Sequence, residues 1–369
     1  MAMLREMSNF ADDMKDLRLF SCLLLLLLAV GGQAKNDCIR VKAGDAQSLL
    51  DAIGQANQRN ADADGAERLF ILIPTGYYDL GERTLTAITG HNISLVGQGM
   101  EQTIIRNAPP VEQEGIGKTA TILVQGTGTS LHDLTLRNDL DYYRSGAAGR
   151  AVCLQDKGQH TICLRVRMLS YQDTYYAYNE DAQHYMEACE IHGTVDFICG
   201  AGDVYFRNCI IETEKRNPDG SGRCVIAAPR TSKTNWGYVF DGCTVRSNVS
   251  EFMYARGWNM KPRCIWLNTR LMAPQLLREP RFDPAGMRSA DCYFKEYGTT
   301  DAEGRNITPA TNVVDFFCKE DTFRVETIMT PQEARTYSPK SVFPSWRPDK
   351  QTRQLEKQIQ QLWRKKQNQ

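Results

Sequence analysis

The 369-residue sequence has no excess of either charge, because its 44 lysine and arginine residues equal its 44 aspartate and glutamate residues. Without a net field, neither a nucleic acid nor an anionic membrane is favoured as a partner, and an acidic ligand has to be held by local groups. The sequence also lacks a cluster of His, Cys and Glu at metal-ligand spacing. We therefore expect no nucleic-acid binding, no metal and no other cofactor.

The main apolar run is too short to span a membrane. It covers about 12 residues at positions 19–30, whereas a helix that crosses ~30 Å of hydrocarbon needs about 20. The basic Lys15 and Arg18 before it and the small residues after it are typical of a secretory signal peptide. We expect residues 1–34 to be that peptide, with the true start at Met14, and the mature protein to be secreted or periplasmic, monomeric and away from membranes.

One apolar pattern recurs from Leu131 onward: an apolar residue, two others, a second apolar residue, one other, and a third apolar residue. Its copies are Leu131/Leu134/Leu136, Cys163/Val166/Met168, Met186/Cys189/Ile191, Phe206/Cys209/Ile211, Phe240/Cys243/Val245 and, more loosely, Trp266/Thr269/Leu271. The first members are separated by 20 to 34 residues. A minimum near 20 with irregular excess is typical of a parallel β-helix, whose coils need fixed short strands while their loops vary.

The predicted fold is therefore all-β, a right-handed parallel β-helix over residues 35–348. Residues 46–59 carry apolar side chains at helical spacing, which predicts a short helix that caps the open N-terminal end. Residues 349–369 form a basic, polar C-terminal tail by composition, and a short helix or a frayed end both fit it. No function follows from that tail.

The cysteine positions favour reduced thiols over disulfides. Eleven of the 12 cysteines follow the predicted signal peptide, which is an odd number. Cys189, Cys209 and Cys243 occupy the same slot on successive coils, where small apolar side chains stack inside a β-helix. We expect an internal ladder of reduced cysteines.

Two aspartates occupy equivalent positions on adjacent coils. Asp173 and Asp196 are 23 residues apart, and each follows the middle apolar residue of its own coil by seven. Because adjacent strands lie ~4.8 Å apart, the two carboxylates should be within electrostatic reach. Like charges that close raise one pKa, which leaves a protonated acid beside an ionised base or nucleophile.

Several short motifs stand in the order in which one known family carries them. Its Gln-Asp-Thr, Asp-Phe-Ile-Phe-Gly and Leu-Gly-Arg-Pro-Trp motifs correspond to Gln172-Asp173-Thr174, Asp196-Phe197-Ile198-Cys199-Gly200 and Tyr254-Ala255-Arg256-Gly257-Trp258. The sequence thus resembles the pectin methylesterase (pectinesterase) family, of the bacterial secreted type, over most of the mature chain. The resemblance implies hydrolysis of the methyl esters of galacturonate residues in pectin-type polysaccharide, with release of methanol.

The resemblance also implies a role for individual residues. Asp196 would be the nucleophile, and Asp173 the acid that protonates departing methanol and then activates water. Arg256 would hold Asp196 ionised, and Gln172 would donate its amide group to the oxyanion. The implied substrate-binding residues are Trp258, Tyr176, Phe197 and Tyr254. The implied partner is a methyl-esterified galacturonan or a related uronate polysaccharide.

The family pattern is broken at Arg150. The family's Gln-Ala-Val-Ala-Leu corresponds to Arg150-Ala151-Val152-Cys153-Leu154, so an arginine replaces the second oxyanion glutamine one coil before Gln172. Arginine donates hydrogen bonds but adds a permanent charge. We expect Arg150 to reach the oxyanion or the carboxylate of a neighbouring demethylated uronate, or else to pair with a nearby acid or lean into solvent.

Three other functions fit parts of the pattern. A retaining glycoside hydrolase also holds two carboxylates ~5 Å apart, but Gln172 beside Asp173 favours acyl chemistry, in which an oxyanion must be stabilised. A pectate-lyase-like eliminase would need a calcium-binding cluster of carboxylates, which the sequence lacks. A non-catalytic, polysaccharide-binding β-helix would not need Asp173, Asp196 and Arg256 together.

Overall fold

The computed structural model describes residues 38–146, 148–231, 236–258, 261–283, 292–318 and 321–364. The predicted signal peptide over residues 1–34 lies outside these ranges. Among the helices that are described, none has both the length and the apolar character that crossing a bilayer requires.

Short strands dominate the described part of the chain. The four α-helices are α1 (Ala46–Arg59), α2 (Pro331–Ala334), α3 (Pro339–Val342) and α4 (Pro348–Arg364). The strands are β1 (Cys38–Arg40), β2 (Leu69–Leu72), β3 (Gly76–Asp79), β4 (Thr86–Ile88), β5 (Ile93–Val96), β6 (Thr103–Asn107), β7 (Ile122–Val124), β8 (Ser130–Asn138), β9 (Leu154–Asp156), β10 (Thr161–Leu169), β11 (Tyr175–Ala177), β12 (Gln183–Glu187), β13 (Glu190–Gly193), β14 (Val195–Gly200), β15 (Asp203–Arg207), β16 (Ile210–Thr213), β17 (Cys224–Pro229), β18 (Tyr238–Asp241), β19 (Thr244–Ser247), β20 (Phe252–Arg256), β21 (Arg263–Leu267), β22 (Arg270–Leu271), β23 (Phe282–Asp283), β24 (Tyr293–Tyr297), β25 (Val313–Cys318) and β26 (Asp321–Glu326).

The strands stack in parallel into three faces. The first face runs in the order β1-β2-β5-β8-β10-β12-β15-β18-β21-β24, and the second follows β3-β6-β8-β10-β13-β16-β19-β22, because the long strands β8 and β10 belong to both. The third face is a separate sheet in the order β4-β7-β9-β11-β14-β17-β20-β23. Only β25 and β26, among the strands described, form an antiparallel pair apart from these faces. The predicted parallel β-helix is confirmed.

The register of the coils follows the apolar repeat of the sequence. Cys163 pairs with Leu131 on one side and with Met186 on the other. Phe206 pairs with Met186 and Phe240 on its two sides. Each copy of the repeat is therefore one coil, and its first apolar side chain stacks on the equivalent side chain of the next coil.

From β8 to β21, each coil turns from the first face to the second at a residue in the left-handed region. Asp133 (φ 53°) and Asn208 (φ 51°) occupy this corner, and Gly242 occupies it in a later coil. Short polar side chains and glycine tolerate this conformation. Arg165 (φ 49°) and Ala188 (φ 51°) occupy the same corner although neither is glycine or a short polar residue. Packing against the neighbouring coils therefore has to keep these two residues in this conformation.

The interior of the β-helix contains the predicted cysteine ladder. Cys189, Cys209 and Cys243 are buried, free thiols. The Sγ atom of Cys189 donates to the carbonyl oxygen of Cys163 at 3.4 Å, and that of Cys209 donates to the carbonyl oxygen of Met186 at 3.7 Å. Small side chains with a weak donor thus fill equivalent slots on successive coils.

Helix α1 closes the N-terminal end of the stack, as predicted. The side chain of Asp45 accepts a hydrogen bond from the backbone N of Ser48 at 2.9 Å and caps the helix. Leu49, Ile53 and Ala56 are buried in the same core as the first coils. The helix packs on β2, β3 and β4, so it covers apolar side chains that the first coil would otherwise expose.

The C-terminal segment is a packed helix rather than a frayed tail over residues 348–364. Helix α4 buries Leu355, Ile359 and Leu362 against the outer side of the first face. The Nη1 atom of Arg165 lies 2.7 Å from Oε1 of Glu356, which ties the helix to β10. The outer side of this face is therefore covered by the helix and not available to a ligand.

Candidate active site

The register of the third face brings the predicted site residues to one place. Arg150 forms a backbone bridge with Gln172 on the next coil. The backbone N of Asp173 lies 3.4 Å from the carbonyl oxygen of Val195, the residue before Asp196. The two aspartates thus stand at equivalent positions of adjacent coils, just before β11 and near the start of β14.

Both aspartates lie in the left-handed region of the backbone. The φ angle is 61° at Asp173 and 53° at Asp196, and the pairing of β14 with β17 shifts between Val195 and Ile198. Aspartate adopts this region at a lower cost than most residues. Such conformations occur at functional sites, where the surrounding structure holds them.

Most of the predicted site residues line one pocket of about 140 Å³. Its lining consists of Ile116, Arg150, Gln172, Asp173, Asp196, Arg256 and Trp258. Six of these seven residues were predicted from the sequence. Ile116 was not, because it comes from a loop between β6 and β7 that carries no repeat and no motif.

Arg256 binds Asp196 with both arms of its guanidinium group. Its Nε atom donates to Oδ1 of Asp196 at 2.7 Å, and its Nη2 atom donates to Oδ2. The hydrogen bond with Asp196 raises the pKa of Arg256. Charge-assisted bidentate pairs of this kind fix the plane of a carboxylate, and Asp196 is only 6% exposed. The position of the carboxylate oxygens is therefore well defined.

The carboxyl group of Asp173 favours its protonated form. Burial raises its pKa well above the usual value, and the charge of Asp196 raises it further, while Arg150 and a hydrogen bond from Cys199 act in the opposite direction. Asp173 is 4% exposed. Two adjacent carboxyl groups with different environments are suited to carry out different steps of one reaction.

Arg150 is at the pocket but is already paired. Its Nε atom and its backbone N donate to the same oxygen of Glu114, at 2.6 and 3.0 Å. Of the arrangements considered from the sequence, the structure contains the one in which Arg150 pairs with a nearby acid. Glu114 was not found from the sequence, because it lies 36 residues away in a loop.

Aromatic side chains border the pocket on one side. Trp258 lines it, and the ring centroid of Tyr176 lies 6.1 Å from that of Trp258. Both belong to a small apolar cluster that also contains Ala120, Val152 and Cys199. Trp258 is thus placed where a ligand ring can contact it, whereas Tyr176 is only 5% exposed and is not among the residues that line the pocket.

Two predicted substrate-binding residues do not lie at the pocket. Phe197 and Tyr254 are fully buried in the interior of the β-helix. The ring of Tyr254 stacks on Trp266 with centroids 4.4 Å apart. A motif shows which residues are neighbours in sequence, but side chains along a strand point to different faces, and these two point inward.

A second charged cluster lies apart from the pocket, on the second face. Glu190, His192 and Glu212 form the one group of three potential metal ligands found in the described ranges. The Nε2 and Nδ1 atoms of His192 lie 2.8 Å from Glu190 and 2.7 Å from Glu214. Arg246 contacts Glu190 and Glu212. These ion pairs occupy the potential ligand atoms, so the cluster is a network of charges.

The fold and the site define a parallel β-helix protein with a paired-carboxylate site on its third face. A family model described as Pectinesterase matches residues 40–274, a range that contains every residue of the pocket. The chain belongs to this family.

Individual relatives agree with this assignment. The chain is 34% identical over 253 residues to a protein named "Putative pectinesterase/pectinesterase inhibitor 45" of Arabidopsis thaliana, a match that covers 66% of this chain and 39% of the relative. This chain therefore spans less than half the length of that relative. The fold is similar to that of a pectin methylesterase from Erwinia chrysanthemi (TM-score 0.62, 21% identity, 84% of this chain and 98% of that one). It is also similar to that of a pectin methylesterase from carrot (TM-score 0.60, 22% identity, 82% and 92%).

Proposed function

We propose that the chain is a carboxylic ester hydrolase that removes methyl groups from galacturonate residues of pectin-type polysaccharide and releases methanol. The observation that carries this proposal is the pair of buried carboxyl groups in one pocket, of which Asp196 is held by Arg256 and Asp173 is surrounded by groups that raise its pKa. Membership of the Pectinesterase family and the names of the relatives support the choice of substrate.

In the first half of the reaction, a carboxylate oxygen of Asp196 attacks the carbonyl carbon of the methyl ester. The tetrahedral intermediate carries a negative charge on the former carbonyl oxygen, and the amide group of Gln172 donates a hydrogen bond to it. Asp173 gives its proton to the departing methoxy group, which leaves as methanol. The product of this half is an acyl-enzyme anhydride on Asp196.

In the second half, Asp173 acts as a base because it has lost its proton. It takes a proton from a water molecule, whose oxygen attacks the acyl carbon of the anhydride. The bond to Asp196 breaks and galacturonic acid is released, which loses its remaining proton to the solvent. Asp173 is then protonated and Asp196 is a carboxylate, as at the start. Arg256 keeps the Asp196 carboxylate oriented through both halves.

Gln172 favours this chemistry over glycoside hydrolysis. A glycoside hydrolase stabilises a positively charged oxocarbenium-like transition state, for which an amide donor beside the acid has no evident use. An ester hydrolase requires a donor for a negatively charged oxygen at the same position. Trp258 offers a flat apolar surface to a sugar ring beside the ester.

We also propose the setting in which the protein acts. Residues 1–34 are a signal peptide of the bacterial secreted type that is removed, and residues 35–348 form the esterase domain, which α4 then covers along one side. The mature protein is a monomer that acts outside the cell or in the periplasm. The apolar run and its flanking residues support the signal peptide.

The decisive test is methanol release from highly methylated pectin by the purified mature chain. We expect methanol without shortening of the polymer, and full activity in the presence of excess chelator, because side chains supply the nucleophile, the acid and the oxyanion donor. Chain length is followed by size-exclusion chromatography in the same reaction. Cleavage of the polymer without methanol would replace the esterase with a glycoside hydrolase.

A further inference from the structure

Helix α4 has a cationic surface on the side that is exposed to solvent. Eight of its residues are exposed, of which four are Lys or Arg, four are Gln and none is acidic. The four cations, which we call the cationic face, are Lys350, Arg353, Lys357 and Arg364. On exposed helices, acids and cations commonly alternate at a spacing of three or four residues. A face with charge of one sign is therefore a distinct feature of this helix.

The four cations form one row along the helix. An α-helix advances about 1.5 Å and turns about 100° per residue. Offsets of 3, 7 and 14 residues from Lys350 therefore place all four side chains within about 60° of one another, over a length of about 21 Å. A row of this length can contact a linear ligand at several points, but a small anion at only one or two.

The two acidic residues of α4 have other partners and do not neutralise the row. Glu356 is bound by Arg165 of β10 at 2.7 Å, and Asp349 is bound by Arg347 at 2.8 Å. Arg353 approaches Asp349 only to 4.0 Å. Among the described residues, no acid forms an ion pair with the other three cations of the face. The positive charge of the row is thus available to a ligand.

The inner side of α4 is fixed to the β-helix, so the row is formed before any ligand binds. Leu355, Ile359 and Leu362 are buried, and Arg40 donates to the carbonyl oxygen of Leu362 at 3.2 Å. A preformed site loses little conformational entropy on binding. An amphipathic helix binds a membrane by inserting its apolar side, and here that side is already covered. The exposed side therefore suits a polyanion in water better than a bilayer.

The reaction proposed above generates such a polyanion. Each turnover converts a neutral methyl ester into a carboxylate, so a processed stretch of galacturonan carries a negative charge on every sugar. These carboxylates complement the cationic face, and the sugar hydroxyl groups can exchange hydrogen bonds with the exposed glutamines beside it. Fully methylated polymer lacks the charge, so the face distinguishes product from substrate.

We propose that the cationic face of α4 binds a demethylated stretch of galacturonan and anchors the enzyme to polymer that it has already processed. The identity of the polymer rests on the proposed function. The catalytic pocket is on the third face, whereas α4 lies on the outer side of the first face. The anchored stretch is therefore separate from the stretch in the pocket, and the face takes no part in the chemistry.

The test measures binding of the mature chain to long, fully demethylated polygalacturonate by calorimetry at several salt concentrations. The neutralised variant combines Lys350→Gln, Arg353→Gln, Lys357→Gln and Arg364→Gln. We expect it to bind about tenfold to a hundredfold more weakly at low salt, since each of the four exposed ion pairs is worth a few-fold. The slope of log Kd against log salt should fall by about two to three, because a single-stranded polyanion releases about 0.7 counterions per contact.

The matched control keeps every charge and combines Lys350→Arg, Arg353→Lys, Lys357→Arg and Arg364→Lys. It should bind polygalacturonate like the wild type. Both variants should release methanol from a short, fully methylated oligomer at the wild-type rate, because this neutral substrate has no charge to bind the face. On long, partly demethylated pectin, the neutralised variant should show a raised KM with an unchanged kcat.

Three results would overturn the proposal. The first is a Kd and a salt slope that are unchanged in the neutralised variant. The second is an equal loss of binding in the charge-conserving control, which would mean that the substitutions disturb the packing of α4. The third is binding to vesicles of anionic phospholipid that the neutralised variant loses while it still binds polygalacturonate, which would make the partner a membrane. Failure of the proposed function is seen separately, as absence of methanol release by the wild type, because binding to polygalacturonate requires no turnover.

Discussion

The Nε atom of Arg150 donates a hydrogen bond to Oε1 of Glu114 at 2.6 Å, which fixes the guanidinium group at the rim of the catalytic pocket. The charge of Arg150 lowers the pKa of Asp173 from this position, against the larger effects of burial and of Asp196. Arg150 therefore influences when Asp173 carries its proton, whether or not it contacts the substrate.

Arg150→Gln should move the alkaline limb of the kcat/KM profile to higher pH. Asp173 has to be protonated to release methanol, and removal of a nearby positive charge makes its proton harder to lose. Loss of an oxyanion donor costs roughly 10²- to 10³-fold in rate. Because the Nε atom of Arg150 already donates to Glu114, we expect the plateau value of kcat/KM to fall by less than that. The measurement is methanol release over a range of pH, with Arg150→Lys as the control that keeps the charge. An unmoved limb with a plateau loss of that full size would make Arg150 an oxyanion donor instead.

Substitution of each aspartate should have a different result. Asp196→Asn should abolish turnover, because an amide oxygen is a poor nucleophile and the bidentate pair with Arg256 is lost. Asp173→Asn should leave binding intact but remove proton transfer, which is typically worth ~10²- to 10⁴-fold in rate. Initial rates of methanol release measure the turnover of both variants. The Kd for demethylated oligomers measures whether Asp173→Asn still binds. Near-native turnover of Asp196→Asn would show that another group is the nucleophile.

The charge network around His192 should stabilise the fold below alkaline pH. Burial lowers the pKa of His192, but hydrogen bonds with Glu190 and Glu214, together with the charges of Glu212 and Glu214, outweigh burial and raise it to about 9. A group with a raised pKa in the folded state contributes its full stability below the pKa of the unfolded chain, near 6.5, and loses it as the pH rises through 9. We expect His192→Gln to lower the free energy of unfolding by roughly 2 kcal/mol at pH 6.

Urea denaturation at several pH values checks this prediction. The difference between wild type and His192→Gln should decline between pH 6.5 and 9 and be negligible above that range. Hydrogen bonding to His192 also lowers the pKa of Glu190 to about 2. The wild type should therefore stay more stable than His192→Gln in acid until the pH approaches that value. A difference that is constant from pH 6 to pH 10 would mean that packing, and not charge, is responsible.

The left-handed corner at Ala188 is a site where the sequence can be improved. The φ angle there is 51°, as at the equivalent Asn208. An ordinary side chain in this region costs roughly 1–2 kcal/mol, and asparagine costs less. Ala188→Asn should therefore raise the free energy of unfolding by about 0.5–1 kcal/mol, and the reverse change, Asn208→Ala, should lower it by a similar amount. Thermal melts of both variants test the pair, and a shift in the same direction for both would contradict the argument.

Much of the fold was predictable because the β-helix imposes one requirement on every coil. Interior slots demand apolar side chains at fixed offsets, so Cys189, Cys209 and Cys243 recur visibly in the sequence. Helix α1 was predictable for the same reason, since Leu49, Ile53 and Ala56 recur at helical spacing. Helix α4 was left open, because its buried Leu355 and Ile359 stand among glutamines and lysines that dominate the composition.

The site was predictable only as far as it follows the register. Asp173 and Asp196 were found because they occupy equivalent positions of adjacent coils. The directions of the Phe197 and Tyr254 side chains could not be predicted, since neighbours in a motif face different sides of a strand. Glu114 was missed because its pairing with Arg150 depends on how a loop folds back over the third face, and no repeat in the sequence encodes that loop.

The first and last described elements of the chain meet on the outer side of the first face. The Nη2 atom of Arg40 in β1 lies 3.2 Å from the carbonyl oxygen of Leu362 in α4, and α4 covers apolar residues that include Phe70 and Val96. A ribosome adds about 5–20 residues per second, so this apolar surface stays uncovered for tens of seconds after its strands have been made. The coils can stack in order from the N-terminus, but the finished outer surface exists only after α4 has been made. That delay gives a chaperone or an export factor a defined interval in which to bind the uncovered surface.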